Sequence, residues 1–254
     1  MSVTHATRAA RAAHAAHAVE PRERILRAAA REIADRGFHG MSMRELARSA
    51  EMSLSNLYNY FPSKEEILFA LQREAFEVLV ASAEEALAGV GAATPSADAR
   101  LYVFISHHVR YVAEHPEVMR VLVHEAASLP TPRRRAVRHL KERYFEIARS
   151  IVGDLVAGGC SRNPAPAEAE PCAPADAAEL DRITYNLFGM LNWIYGWYEP
   201  RAHGGPHELA RTIHRITMCG VVAHCPYREL QESLDQRLDS VAAPPLLGLG
   251  GKNP

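Results

Sequence analysis

Residues 42–64, SMRELARSAEMSLSNLYNYFPSK, constrain the fold of this chain more than any other stretch. Ser42 followed three residues later by Glu45 is a capping box, a signal that starts a helix. Leu46 and Ala47 then face inward. A second short helix is expected from Ser53 to about Tyr60, with Leu57 and Phe61, four apart, as its buried stripe. Pro62 and Ser63 break the chain before a long helix from Lys64 to about Leu87. Two short helices packed at a steep angle are a helix-turn-helix, and that motif presents the outer side of its second helix to a DNA major groove.

The outward residues have the chemistry for this task. Asn56 and Asn59 can pair bidentately with adenine, and Tyr58, Tyr60 and Ser55 carry hydroxyls suited to phosphate or base edges. Ser42 and Ser53 cap helix N-termini, where backbone N–H groups and the dipole attract phosphate, and Lys64 adds a charge at the same depth. Periodicity alone also fits a short helix pair whose polar aromatics seal a domain interface. Charge does not decide between them: residues 1–70 carry ten Lys/Arg against eight Asp/Glu, in a chain of net charge −1.

Helical spacing recurs along the rest of the chain and strand signals are nearly absent, so the fold class is all-α. The first helix is expected from Pro21 to Arg36, buried through Ile25, Leu26, Ala29 and Ile33 and stopped by Gly37. Later helices are expected over 97–113, 116–128, 132–157 (capped by Thr131), 177–198 and 206–223, with a short one near 227–239. The organisation read from this is a disordered leader (1–20), a DNA-binding domain (21–67), a ligand-binding and dimerisation domain (68–240) and a tail (241–254). The Pro/Ala/Gly-rich stretch 158–175 is read as a flexible loop, and residues 1–20 as either a leader or a minor-groove arm using Arg8 and Arg11.

The run from Arg24 to Leu68 resembles the N-terminal domain of the TetR family of bacterial regulators. Its most specific part is Leu57-Tyr58-Asn59-Tyr60-Phe61-Pro62-Ser63-Lys64-Glu65, similar to the family's LYxYFxSKE signature. The resemblance implies an all-α homodimer with a C-terminal ligand domain, bound to double-stranded operator DNA and usually repressing until a small molecule binds. Position by position it implies phosphate contacts from Ser42, Ser53, Tyr58, Tyr60 and Lys64. Base-facing positions would be Arg44, Leu54, Ser55, Asn56 and Asn59. Glu51 departs from the pattern, standing at a turn position where the family often has Gly and where a positive φ is expected.

The C-terminal half carries a weaker signal. Asn192-Trp193 and Trp197-Tyr198-Glu199-Pro200, with the segment from His124 to Ala148, resemble TetR-type regulators that sense acyl-CoA or related CoA thioesters and govern lipid or steroid catabolism. Arg133, Arg134, Arg135, Arg138 and Lys141 are a candidate phosphate site, although such runs are usually solvated helix faces. Phe104, His108, Tyr111, Met119, Phe188, Asn192 and Trp193 are candidates for an apolar pocket with few polar groups. Core or dimer packing is the competing reading of that aromatic cluster. The dimer is expected from Leu180, Ile183, Leu187, Leu191 and Ile194 together with Leu209, Ile213, Ile216 and Val221 or Val222.

Other functions have less behind them. Alternatives within the family are a repressor answering another hydrophobic molecule, as in drug efflux, or a metal. His203 and His207 straddle a Gly-Gly-Pro break, His224 and Cys225 are adjacent, and no paired CxxC occurs. A CoA-thioester hydrolase would need a nucleophile or metal motif, and neither GxSxG nor HExxH is present. No cofactor and no enzymatic activity are expected. No apolar run reaches the roughly 18–20 residues of a membrane span, and with no export signal a cytoplasmic protein with Cys160, Cys172, Cys219 and Cys225 reduced is expected.

Overall fold

A computed structural model describes residues 20–89, 96–162 and 176–221, and every regular element among them is helical. Three helices form the N-terminal unit: α1 (Pro21–Gly40), α2 (Met43–Ser49) and α3 (Leu54–Tyr60). The long α4 (Lys64–Ala88) leads from it into α5 (Ala97–Glu114), α6 (Pro116–His124) and α7 (Thr131–Arg162). Next come α8 (Ala177–Asn192), a 3-10 turn (Ile194–Gly196), the short α9 (Pro200–His203) and α10 (Pro206–Val221). The leader before Glu20, residues 163–175 of the expected loop, the helix near 227–239 and the tail lie outside the described residues.

The starts follow local chemistry. Pro21 opens α1, and Ile25, Leu26, Ala29 and Ile33 are buried as expected. The Ser42 hydroxyl accepts the Glu45 N–H (3.2 Å) and donates to the Glu45 carboxylate (2.7 Å), so the capping box closes on itself. Ser53 and Ser63 cap α3 and α4 in the same manner, accepting from Asn56 N–H and Glu66 N–H. Leu46, Ala47, Leu57 and Phe61 meet Ile67, Leu68 and the α1 stripe in one apolar cluster that continues into the C-terminal half. The expected boundary near residue 67 therefore falls inside an unbroken helix, α4.

Several boundaries differ from expectation. Gly37 does not end α1 but kinks it: the residue adopts φ 73°, ψ 162°, and the chain makes one more turn to Gly40. α6 stops at His124 instead of running to 128, and Glu125 turns toward α1, where its carboxylate accepts the Phe38 N–H. α7 runs past 157 to Arg162, since a glycine such as Gly158 weakens a helix by only about 1 kcal/mol. α8 ends at Asn192 and passes through the 3-10 turn, which leaves Trp193 60% exposed.

α5 is the central helix, packed on α4, α7 and α10. This corrects the expected dimer seam. Leu187, Leu191, Ile194, Leu209 and Ile213 are buried within one chain, against α5 and its neighbours. Leu180 and Ile183 are half-buried, while Ile216 is 52% exposed.

Candidate nucleic-acid interface and ligand cavity

The turn between α2 and α3 is a Schellman motif. Met52 N–H donates to Ala47 O (2.9 Å) and Glu51 N–H to Arg48 O (3.0 Å), which satisfies carbonyls that α2 would otherwise leave open. This geometry needs a left-handed residue after the cap, and Glu51 supplies it at φ 54°. Among the described residues Glu51 is alone among non-glycines in having positive φ. The turn is therefore built with the expected geometry, at the cost expected for a side chain in this region.

Behind that turn, Leu57 is fully buried and fixes the roll of α3. Ser55, Asn56, Tyr58, Asn59 and Tyr60 consequently stand exposed on one short helix, with Leu54 half-buried at its start. Ser42, Arg44 and Ser53 are exposed on the adjoining edge. Lys64 is placed differently from its neighbours. Its ammonium group donates to Phe38 O (3.2 Å), His39 O (3.4 Å) and Met41 O (3.4 Å) and sits 4.7 Å from the Phe38 ring centroid. It thus clamps the α1–α2 turn onto α4. Arg22 braces the other side, donating to Glu74 (2.8 Å) with its guanidinium over Phe61.

A second device joins this unit to the helices behind it. The Glu125 carboxylate accepts the Phe38 N–H (3.0 Å) and the Ser128 hydroxyl (2.5 Å), while its backbone carbonyl accepts from the buried Gln72 side chain (3.0 Å). Glu125 directly follows α6, and α6 lines a cavity. Arg133 pairs with Glu66 on α4 and stacks near Phe69, tying the start of α7 to the same region.

That cavity has a volume of about 170 Å³ and lies between α4, α5, α6, α7 and α8. Of the residues named for an apolar pocket, His108, Met119, Phe188 and Asn192 line it. Phe104 is fully buried behind the wall, its ring centroid 5.2 Å from Tyr144 and 6.1 Å from Phe188. Tyr111 and Trp193 do not line it. Tyr111 packs on His115, its phenol pushed up to about 12 by burial, and Trp193 faces outward against Tyr195. Tyr144 and Phe145 on α7 are lining residues that the sequence reading missed. Their signal is the apolar spacing of Tyr144, Ala148, Ile151 and Leu155 behind the arginine run.

A wider cavity of about 440 Å³ shares Phe76, Leu122, Lys141, Phe145 and Tyr185 with the first. Arg134, Arg138 and Lys141 line it, since a spacing of four and then three puts them on one helix face. Arg135 is exposed and lines neither cavity, and Arg133 is held by Glu66. Glu142 and Glu146 are also in the wall, with Glu146 3.5 Å from Arg149. Among the described residues no three His, Cys, Asp or Glu side chains gather as a metal site. His203 accepts from Glu199 N–H and His207 meets Arg211, so the two do not converge.

Residues 25–71 match the model of bacterial regulatory proteins of the tetR family, and residues 94–171 match the tetracyclin repressor-like C-terminal domain. Over 53 residues the chain is 43% identical to the uncharacterized HTH-type transcriptional regulator YdgC of Bacillus subtilis (strain 168). That stretch covers 21% of this chain and only 27% of the relative. The structure is similar to the TetR family regulator PfmR of Thermus thermophilus, at TM-score 0.60 and 27% identity over 76% of this chain and 96% of that one. It is also similar to AibR, solved in complex with isovaleryl coenzyme A and operator DNA, at TM-score 0.63 and 22% identity over 78% and 97%.

Proposed function

Because the chain belongs to the TetR family of transcription regulators, which bind DNA and are not enzymes, we propose that it is a homodimeric repressor of lipid or steroid catabolism genes, released from its operator by a CoA thioester. The observation that carries the ligand reading is the pair of joined cavities. One is mainly apolar; the other brings Arg134, Arg138 and Lys141 to its wall. An acyl or ring group would occupy the first, and the phosphates of CoA would meet the guanidinium forks of the second. That AibR is solved with a CoA thioester at a similar fold is consistent with this assignment.

In the proposed complex Tyr58, Tyr60, Ser42 and Ser53 hold phosphates, and Arg44, Leu54, Ser55, Asn56 and Asn59 face base edges. Lys64 works mainly by holding the α1–α2 turn. The dimer would form on the outer faces of α8 and α10, where Met190, Trp193 and Ile216 remain at least partly uncovered. Gly189 and Gly220 on these helices have nothing within 4 Å of a Cβ position, which permits close approach of a partner helix. The interface would set the distance between the two α3 helices near one DNA turn, about 34–36 Å, or a multiple of it.

Ligand and DNA are linked through α6. Met119, Leu122 and Val123 line the cavity, and two residues after Val123 the Glu125 carboxylate grips the end of α1. A ligand that repositions α6, or tilts α4, shifts the reading heads. It releases DNA only if it binds the DNA-incompetent state more tightly.

A DNA-binding assay with CoA thioesters and their free acids tests the reading. The thioester should release DNA and the free acid should not. Arg134→Ala with Arg138→Ala should raise the thioester concentration needed by at least about tenfold, since each lost contact is a charged hydrogen bond. Equal release by free acids would remove the role given to the arginines.

A further inference from the structure

His108 leaves half of its hydrogen-bonding capacity unused. His108, 1% exposed, lines the smaller cavity. Nδ1 lies 3.1 Å from the Tyr144 hydroxyl, and Nε2 is buried without a protein partner. Buried polar atoms are nearly always satisfied, so an unpartnered one on a cavity-lining residue marks a place for a ligand atom.

The neighbours fix which kind of atom. Burial pushes the imidazole down to about 3, so it is neutral at pH 7. The same burial raises the Tyr144 phenol, which keeps its proton. A phenol is the better donor of the pair, so Tyr144 O–H donates to Nδ1 and the ring proton resides on Nε2. Around this N–H the walls are Phe188, Leu79, Met119 and Leu122. The volume of about 170 Å³ is close to the ~150 Å³ known to hold a benzene-sized molecule.

We propose that this cavity selects a compact acyl or ring group carrying a carbonyl oxygen, and that His108 Nε2–H reads that oxygen. The proposal rests on the reading of the cavity as the effector site and specifies what part of the effector it recognises. A pure hydrocarbon would leave the N–H unpaired. A long saturated chain exceeds this cavity and would have to extend into the wider one.

Cyclohexanone and methylenecyclohexane have nearly the same shape and differ by an oxygen against a methylene. Titrating the full chain with each, followed by thermal midpoint and by the nitrogen shifts of labelled histidine, tests the proposal. Cyclohexanone should bind about tenfold more tightly, the size of one hydrogen bond to an otherwise unpaired group, and should move the Nε2 resonance of His108. In His108→Phe, which keeps a ring and loses the donor, the two should bind equally. Equal affinities in the wild type, or an unmoved Nε2 resonance with ligand bound, would overturn it. If His108→Phe fails to fold, the wild-type pair and the Nε2 shift decide. DNA release by CoA thioesters with no preference for cyclohexanone removes the role of His108 alone. A cyclohexanone preference with no response to CoA thioesters supports this role and removes the CoA reading.

Discussion

Tyr58→Ala combined with Asn59→Ala should weaken operator binding about a hundredfold and leave thermal stability near that of the wild type. Both side chains are exposed on α3, Tyr58 by 47%, so neither supports the core that Leu57 and Phe61 provide. A bidentate Asn–adenine pair discriminates by about 1–3 kcal/mol, and a hydroxyl–phosphate bond adds about 1. Together they reach the roughly 2.7 kcal/mol of a hundredfold change. Neither residue is charged, so the slope of affinity against salt should stay unchanged. Fluorescence anisotropy at several salt concentrations, beside a melting curve, reads both quantities. An unchanged affinity would mean that α3 does not enter the groove.

Gly37→Val should destabilise the folded chain by about 2–3 kcal/mol and lower Tm by several degrees. The backbone at Gly37, φ 73° and ψ 162°, lies in a region almost reserved for glycine. Space is not the difficulty, since a Cβ there would stand 3.6 Å from the Glu125 carboxylate, an ordinary contact. The cost is backbone strain, and β-branching makes it worse. Relieving the strain would rotate the next peptide and pull Phe38 N–H from Glu125, loosening the link from α6 to α1. Denaturant unfolding measures the loss. A wild-type midpoint would show that the kink is not needed.

The parts of this fold legible in the sequence are those set by neighbours along the chain. Ser42 and Glu45, Ser53, and Pro62 with Ser63 announce the helix-turn-helix because caps and turns act within a few residues. What the sequence conceals depends on distance. Lys64 looks like a surface charge until the fold brings three carbonyls to it, and Glu125 reads as a helical residue until Phe38 N–H meets it. Leu209 and Ile213 show the same limit: spacing reveals that a face is buried, not which chain buries it. Trp193 departs from its helical pattern because one residue of helix breakdown after Asn192 turns a large aromatic from cavity to solvent. Of the arginine run, Arg134 and Arg138 reach the wider cavity, while Arg133 and Arg135 point elsewhere by helical geometry alone.

Docking of α2 and α3 on double-stranded DNA is tested most directly by footprinting the full chain on the DNA that flanks its own coding sequence. The expected result is a protected, pseudo-palindromic site with half-sites about one helical turn apart, lost on adding salt and abolished by Tyr58→Ala with Asn59→Ala. Protection that spreads without a boundary, or persists in the double variant, would contradict it.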